Sequence, residues 1–405
     1  MAFESLYKLH FLEQDDNFNK LYLNRYHSEA TIRFDFDING NPAFFFFHNE
    51  INILLNKIKE LNNKVSRVFD ALPEIAKEQY IKRSLIDEIV FSNEIEGVIS
   101  TRKDINSIIE DIKFKDKNKF SRLEGIVNKY SLLGAKNIRI KDSNDIRTLY
   151  NESFLKEVIL NDPSNQPDGK IFRNGPVFVN SSSGKQLHKG IVPETKLIEF
   201  VDKSLTILND DNIDILIRVS LFHYLFSFAH PFYDGNGRIN RLISSYYISM
   251  NQSLIMGYRL SMTIKENLSM YYDAFKHTND VRNKGDLTTF VYQFLKLVLI
   301  SYEKTELYII ERNNEIQYYR NIITTLDLDD KVKKILNILA EIEIFGDFGI
   351  SMSDLMKKTD MSINTLKKYL NQVRHLDLLK EMTIANSKFY GIYLEKINAL
   401  KKLLS

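Results

Sequence analysis

The sequence predicts a mainly α protein with a small β-hairpin flap and a C-terminal winged helix-turn-helix. Three observations predict it. Seven prolines and 15 glycines in 405 residues leave long uninterrupted segments. Apolar residues recur at three- and four-residue spacing through most of those segments. The short β-prone runs are confined to places dense in turn residues.

The elements follow in order. Ile32, Phe34, Phe36 and Ile38 alternate with polar residues and run into Asn39-Gly40, a hairpin signal. The run Phe44 to Phe47 requires burial and reads as an arm packed on the main body. Ile51, Leu54, Leu55, Ile58 and Leu61 form a helical stripe. Pro73 separates that helix from one over about 74–96, whose stripe is Ile81, Leu85 and Ile89. Helices are expected at 120–133 and 143–160. Residues 161–195 break the pattern with Asp162-Pro163, Pro167-Asp168-Gly169, Asn174-Gly175-Pro176 and Ser181-Ser182-Ser183-Gly184. Between them Val177-Phe178-Val179 forms a short strand-prone run, read as a hairpin or flap. Helices resume at 194–208 and 213–229. The second is apolar nearly all round, as a buried central helix must be. Further helices cover 238–250, 264–278 and 287–320.

The acidic stretch at 326–330 marks a boundary. Beyond it the pattern predicts helices at 332–344, 351–358 and 363–376, then a wing with strands at 379–384 and 389–393 around Ala385-Asn386-Ser387. This divides the chain into an N-terminal arm and helical region at 1–113, a catalytic core at 114–326 and a winged helix-turn-helix at 327–405.

Composition narrows the function. Charged residues make up 27% and the net charge is +2, so nothing global points to nucleic acid or a membrane surface. The absence of cysteine excludes disulfides, thiolate chemistry and cysteine zinc sites, and fits a cytoplasmic protein. No stretch reaches 18 uncharged apolar residues, so no membrane span is expected. The first residues carry acidic groups early and lack a signal-peptide core.

One segment carries chemistry. His230 to Arg241 reads HPFYDGNGRINR and joins the buried helix to a new one. Gly235 and Gly237 allow the backbone unusual conformations and a ligand close approach. Free amides at the start of the next helix form an anion site. Arg238 and Arg241 stand three apart on one helical face, and guanidinium forks suit phosphate oxygens. A single carboxylate beside phosphates, here Asp234, is the usual way to hold Mg²⁺. A neutral His230 could take a proton from an incoming hydroxyl. Together these describe phosphoryl or nucleotidyl transfer by positioning and electrostatics.

The segment resembles the signature of the Fic family, HxFx(D/E)GNGRxxR, with every fixed position matched: His230, Phe232, Asp234, Gly235, Asn236, Gly237, Arg238 and Arg241. The resemblance implies a Fic-type helical bundle. It implies a protein adenylyltransferase that moves AMP from ATP to a hydroxyl side chain (Ser, Thr or Tyr) of a target protein or of itself. His230 would be the base and Asp234 the ligand of Mg²⁺ or Mn²⁺. The amides of Gly235 to Gly237 would hold phosphates, with Arg238 on the outer ones and Phe232 anchoring the loop. Val177, Phe178, Val179 and Asn180 occupy the place of the family flap, whose backbone aligns the target segment by strand pairing. The polar run after Asn180, Ser181 to Gln186, is longer than the family leads one to expect. Tyr271, Tyr272 and Asn279 resemble positions near adenine and ribose, although a Tyr pair on an amphipathic helix also fits a core.

Ser92-Asn93-Glu94-Ile95-Glu96-Gly97 resembles the family's inhibitory motif, (S/T)xxxE(G/N). The resemblance implies that Glu96 pairs with Arg241 and takes that guanidinium from the γ-phosphate. The same residues would also serve as a plain helix end, with Gly97 as its cap. The resemblance covers about residues 48–320, and dimers are common in the family.

The tail from 331 to 405 holds 13 Lys and Arg against 8 Asp and Glu. Ser362, Asn364, Thr365, Lys367 and Lys368 lie on its recognition helix, where they could touch phosphates or base edges. Two alternatives to the transferase therefore stand. One is a nucleotide-sensing regulator that binds DNA or a protein through the tail, and the other is a de-AMPylase.

Overall fold

The structure is a computed structural model that describes residues 3–113, 122–132, 140–180, 186–384 and 387–404. The chain is mainly helical. It divides into two compact units that interleave along the sequence: 1–62 with 87–101 and 120–302, and 63–86 with 102–119 and 303–405. Of the three consecutive segments expected from sequence, 1–113 is shared between the units, whereas 327–405 lies wholly in the second.

In the first unit the core is the helix Ile215–Ala229, in which every residue but Ser227 is buried. Its apolar surface has no polar face to turn outward, so neighbours must cover it on all sides. The helices Glu194–Leu208 and Asn236–Asn251 pack along it. Asp214 starts the central helix by accepting the Leu216 amide at 2.8 Å. The N-terminal hairpin pairs Thr31–Ile38 with Asn41–Phe46. Asn39 and Gly40 both take positive φ at its tip, as a two-residue turn requires. Phe44 and Phe45 are fully buried, and Phe44 joins Leu6 and Phe18 in a small cluster. This is the packed arm expected of the Phe44–Phe47 run.

The helix expected at 143–160 is Ser143–Tyr150, a π-turn at Asn151–Leu155, and Lys156–Asn161. A π-turn frees backbone carbonyls, and they are approached closely here. A Cβ on Gly125 would lie 2.3 Å from the Glu152 carbonyl oxygen. Of the helix expected at 120–133, Glu124–Ser131 is observed; residues 120, 121 and 133 lie outside the described residues.

In the second unit the helices Asp330–Phe345, Met352–Thr359 and Ile363–His375 follow one another in the expected order. Ser351 and Ser362 cap the second and third by accepting amides of Asp354 and Thr365. Strands Leu379–Ile384 and Ser387–Ile392 pair antiparallel, and Ile350–Ser351 adds to the far side of Ser387–Ile392. The turn residues 385 and 386 lie outside the described residues. A closing helix, Leu394–Leu404, was not expected. Among the described residues no helix is long and apolar enough to cross a membrane.

Candidate active site

The site is built where the central helix stops. His230 ends that helix in the left-handed region, φ 52° and ψ 63°. Pro231 follows, and a residue before proline is disfavoured in the right-handed helical region. The His230 carbonyl accepts Arg173 Nε at 2.8 Å. Arg173 is wholly buried and also donates to the carbonyls of Gly175, Ile191 and Ala229. One guanidinium thus ties the helix end to both sides of the flap base. Gly190 makes room for it: a Cβ there would sit 2.3 Å from Arg173 Nη2.

The His230 ring stays neutral well below physiological pH. Packed protein around it disfavours the charged form and pushes its pKa down to about 4, with Arg173 and His188 acting in the same direction and the Ser227 carbonyl and Glu96 against. Nδ1 faces the Ser227 carbonyl at 3.4 Å. A carbonyl only accepts, so Nδ1 carries the proton there and Nε2 keeps a lone pair.

The loop after His230 is clamped internally. Asn236 Oδ1 accepts the Phe232 amide at 2.9 Å and its Nδ2 donates to the Phe232 carbonyl at 2.7 Å. The Asn236 side chain therefore shapes the loop, and its backbone amide is the group that can face a ligand. Phe232 is buried and stacks on Tyr150 with centroids 3.7 Å apart. Tyr150 in turn donates to the Asp234 carbonyl at 3.1 Å. Gly235 takes φ 82° and begins the helix Asn236–Asn251 without any side chain capping it. The first-turn amides of that helix are left to face an anion.

The two motif arginines are both buried. Arg238 Nη1 meets Glu157 Oε2 at 2.5 Å and Nη2 lies 3.6 Å from Asp234 Oδ2. Among the described residues Arg238 Nε and Nη2 have no hydrogen-bond partner. Arg241 is engaged at each of its three nitrogens. Nη1 pairs with Glu96 Oε1 at 2.9 Å, Nε donates to Ser92 Oγ at 3.1 Å and Nη2 to the Ser92 carbonyl at 2.8 Å. Burial works against its charge, but Glu96 outweighs this and its pKa is raised. Gly237 permits the pairing, because a Cβ on it would lie 2.0 Å from Glu96 Oε1. Gly97 is the helix cap that the sequence offered. It ends the helix at φ 72° with Val98 N bonded to the Asn93 carbonyl and Gly97 N to the Glu94 carbonyl, and that stop holds Glu96 at Arg241.

Asp234 can hold a metal in one manner only. Its Oδ1 accepts the Gly235 amide at 2.5 Å, and its side chain is partly open. Among the described residues no group of three or more His, Asp or Glu could cage an ion. One carboxylate fits Mg²⁺ or Mn²⁺ only if phosphate oxygens and water supply the rest of the shell.

The flap strand Phe178–Asn180 pairs antiparallel with Gln186–Lys189. Val177 accepts the Gly190 amide at its base, and Phe178 is exposed. Residues 181–185 of the polar run lie outside the described residues. Tyr271 is buried with its hydroxyl 2.7 Å from Nε2 of the core residue His223. Tyr272 is exposed, and Glu96 and Arg241 are close enough to act on its hydroxyl. Asn279 Oδ1 accepts the Tyr224 hydroxyl at 2.6 Å.

Sequence reasoning missed Arg173, Glu157, Tyr150 and Glu194. Glu194 accepts the amides of Lys170, Ile171 and Phe172, which orders the turn-rich run before the flap. Glu157 left a signal: it falls on the apolar stripe Tyr150, Phe154 and Val158, where a charge must have a partner. Arg173 left none, since no periodicity surrounds it.

Residues 145–248 match the family model described as the Fic/DOC family. That segment, with the loop and both arginines inside it, is a Fic/DOC family domain, and such domains are generally transferases. The chain is also similar to solved structures. A Fic family protein from Desulfovibrio desulfuricans G20 has 17% identity over 86% of this chain and 97% of its own, with a TM-score of 0.48. Fic-1 (residues 134–508) from C. elegans has 20% identity over 63% and 72%, with a TM-score of 0.40. A Fic domain containing signaling protein from Bacteroides thetaiotaomicron VPI-5482 has 17% over 61% and 97%, with a TM-score of 0.38.

Proposed function

We propose that this chain is a protein adenylyltransferase, moving AMP from ATP to a hydroxyl side chain of a target protein or of itself, and that Glu96 holds it in check. The observation that carries the reading is the Glu96–Arg241 pair at 2.9 Å, closed by Ser92 on the other two faces of the guanidinium.

The chemistry follows from the residues. The target hydroxyl oxygen attacks the α-phosphorus, its proton goes to His230 Nε2, and pyrophosphate leaves. The amides at Asn236 to Arg238, with Nε and Nη2 of Arg238, face the developing charge. Held by Asp234, Mg²⁺ or Mn²⁺ would neutralise phosphate charge. The open edge of the Phe178–Asn180 strand aligns the target segment by backbone pairing. With Glu96 in place, the Arg241 guanidinium is taken by Glu96 and Ser92 instead of the γ-phosphate, so ATP binds out of line for transfer.

Incubation with α-labelled ATP and Mg²⁺ tests this. Label enters the protein weakly in the wild type, strongly in Glu96→Gly and not at all in His230→Ala. Equal labelling of all three, or none in any, overturns it. Release of AMP from a modified target, with Glu96 placing the water, would point to the reverse reaction instead.

A second reading rests on the tail. Ser362, Asn364, Lys367 and Lys368 are exposed on the helix Ile363–His375, with Thr365 half-buried beside them. A regulator that binds DNA there would show a salt-dependent mobility shift, reduced in Lys367→Glu/Lys368→Glu. No shift at low salt leaves a protein partner, or a second copy of the chain, as its occupant.

A further inference from the structure

The helix Glu74–Ile95 meets the motif helix Asn236–Asn251 through more than Glu96. Glu88, Ser92 and Glu96 are four residues apart and share one helical face. Arg241 and Ser245 are four apart on the other helix. Their contacts run in opposite sense: Glu88 to Ser245, Ser92 to Arg241, Glu96 to Arg241. Glu88 is fully buried, and the Ser245 hydroxyl donates to its Oε1 at 3.0 Å. Its carboxylate also takes two bonds from a third element. Ser261, on the helix Leu260–Glu266, donates its amide to Oε2 at 2.8 Å and its hydroxyl to Oε1 at 2.5 Å.

A carboxyl buried there carries a cost. Burial pushes its pKa up to about 7, against the pull of the serine donors and Arg241. Apolar packing of equal volume would avoid that cost, so the group holds position rather than stability. Position matters because the outer contact is open to solvent. The Glu96 side chain is 30% exposed, and pairs that open are weak on their own.

We infer that Glu88 is a positioning residue for the Glu96–Arg241 contact: the buried three-bond clasp on Ser245 and Ser261 fixes the register of the Glu74–Ile95 helix so that Glu96 falls on Arg241. The inference rests on the transferase reading. It assigns the strength of the inhibition to a residue two turns away from the nucleotide.

Self-labelling with α-labelled ATP in two backgrounds tests it. With Glu96 present, Glu88→Ala raises labelling about tenfold, the scale of losing hydrogen bonds to a charged group. Glu88→Gln, which keeps shape and most partners, stays near wild type. In the Glu96→Gly background, Glu88→Ala changes nothing further. Ser261→Ala is the second variant: it keeps Glu88 but removes one donor, and raises labelling only when Glu96 is present. A Glu88→Ala effect of equal size in both backgrounds marks a merely structural residue and overturns the inference, as does no effect with Glu96 present. If Glu96→Gly itself fails to raise labelling, the autoinhibition reading is what fails, and the role of Glu88 falls with it.

Discussion

Arg238 and Arg241 stand three residues apart on one helix, both buried, and their surroundings differ in one decisive respect. Arg238 is held by Glu157 from the helix Lys156–Asn161, inside the family domain itself, and among the described residues its Nε and Nη2 make no hydrogen bond. Arg241 has Nη1, Nη2 and Nε all engaged, and these three bonds come from Ser92 and Glu96, outside the matched 145–248 segment. A buried guanidinium with open donors is prepared for an anion, and one saturated by another helix is withheld from it. On the proposed transferase reading, binding and control fall on separate arginines.

Two substitutions separate them. Glu157→Ala takes from the buried Arg238 its nearest counter-ion and leaves only the longer contact to Asp234, which costs up to about 3–5 kcal/mol; urea unfolding reads this as a large fall in midpoint. A change under about 1 kcal/mol would mean that Arg238 turns to another partner and is not fixed by Glu157. Glu96→Gly removes a pair that is open on one side and leaves Arg241 its two Ser92 bonds, so it lowers stability less than Glu157→Ala does while raising labelling about tenfold or more. Adding Arg241→Ala to Glu96→Gly returns labelling to the wild-type level or below, because the freed arginine is what ATP gains. If the double variant labels as strongly as Glu96→Gly, Arg241 is not the contested group.

Much of this contrast was legible before the fold. The 12-residue motif is contiguous, so its chemistry needs no tertiary information, and the hairpin at Asn39-Gly40 and the buried helix 215–229 follow from local pattern. Glu96 was legible only through the resemblance of Ser92 to Gly97 to the family's inhibitory motif. The supports of the site were not. Arg173 reaches its four carbonyl partners from a turn-rich run, and Glu194 collects three amides more than 20 residues upstream. Such contacts join residues distant in sequence, and no periodicity records them. Interleaving of the two units has the same cause: helical stripes mark burial but not which neighbour supplies it.

The smallest effect concerns pH, and it sets the buried clasp against His230. Glu88 has its pKa raised from 4.5 to about 7. Its contribution to stability is therefore present below about pH 4.5 and lost as pH rises through 7, because the folded state holds the proton longer. His230 has its pKa lowered from 6.5 to about 4, and His223 to about 3. Their contribution is present above pH 6.5 and lost as pH falls, because the unfolded state takes the proton first. The two slopes oppose each other between pH 4.5 and 6.5, so the wild-type curve alone separates neither. Comparison with Glu88→Gln does, since both histidines cancel between the two proteins. The melting temperature of Glu88→Gln relative to wild type should rise steadily from pH 5 to pH 7.5. A flat difference would mean that the three serine donors hold Glu88 ionised throughout, and the clasp would then be a permanent charge.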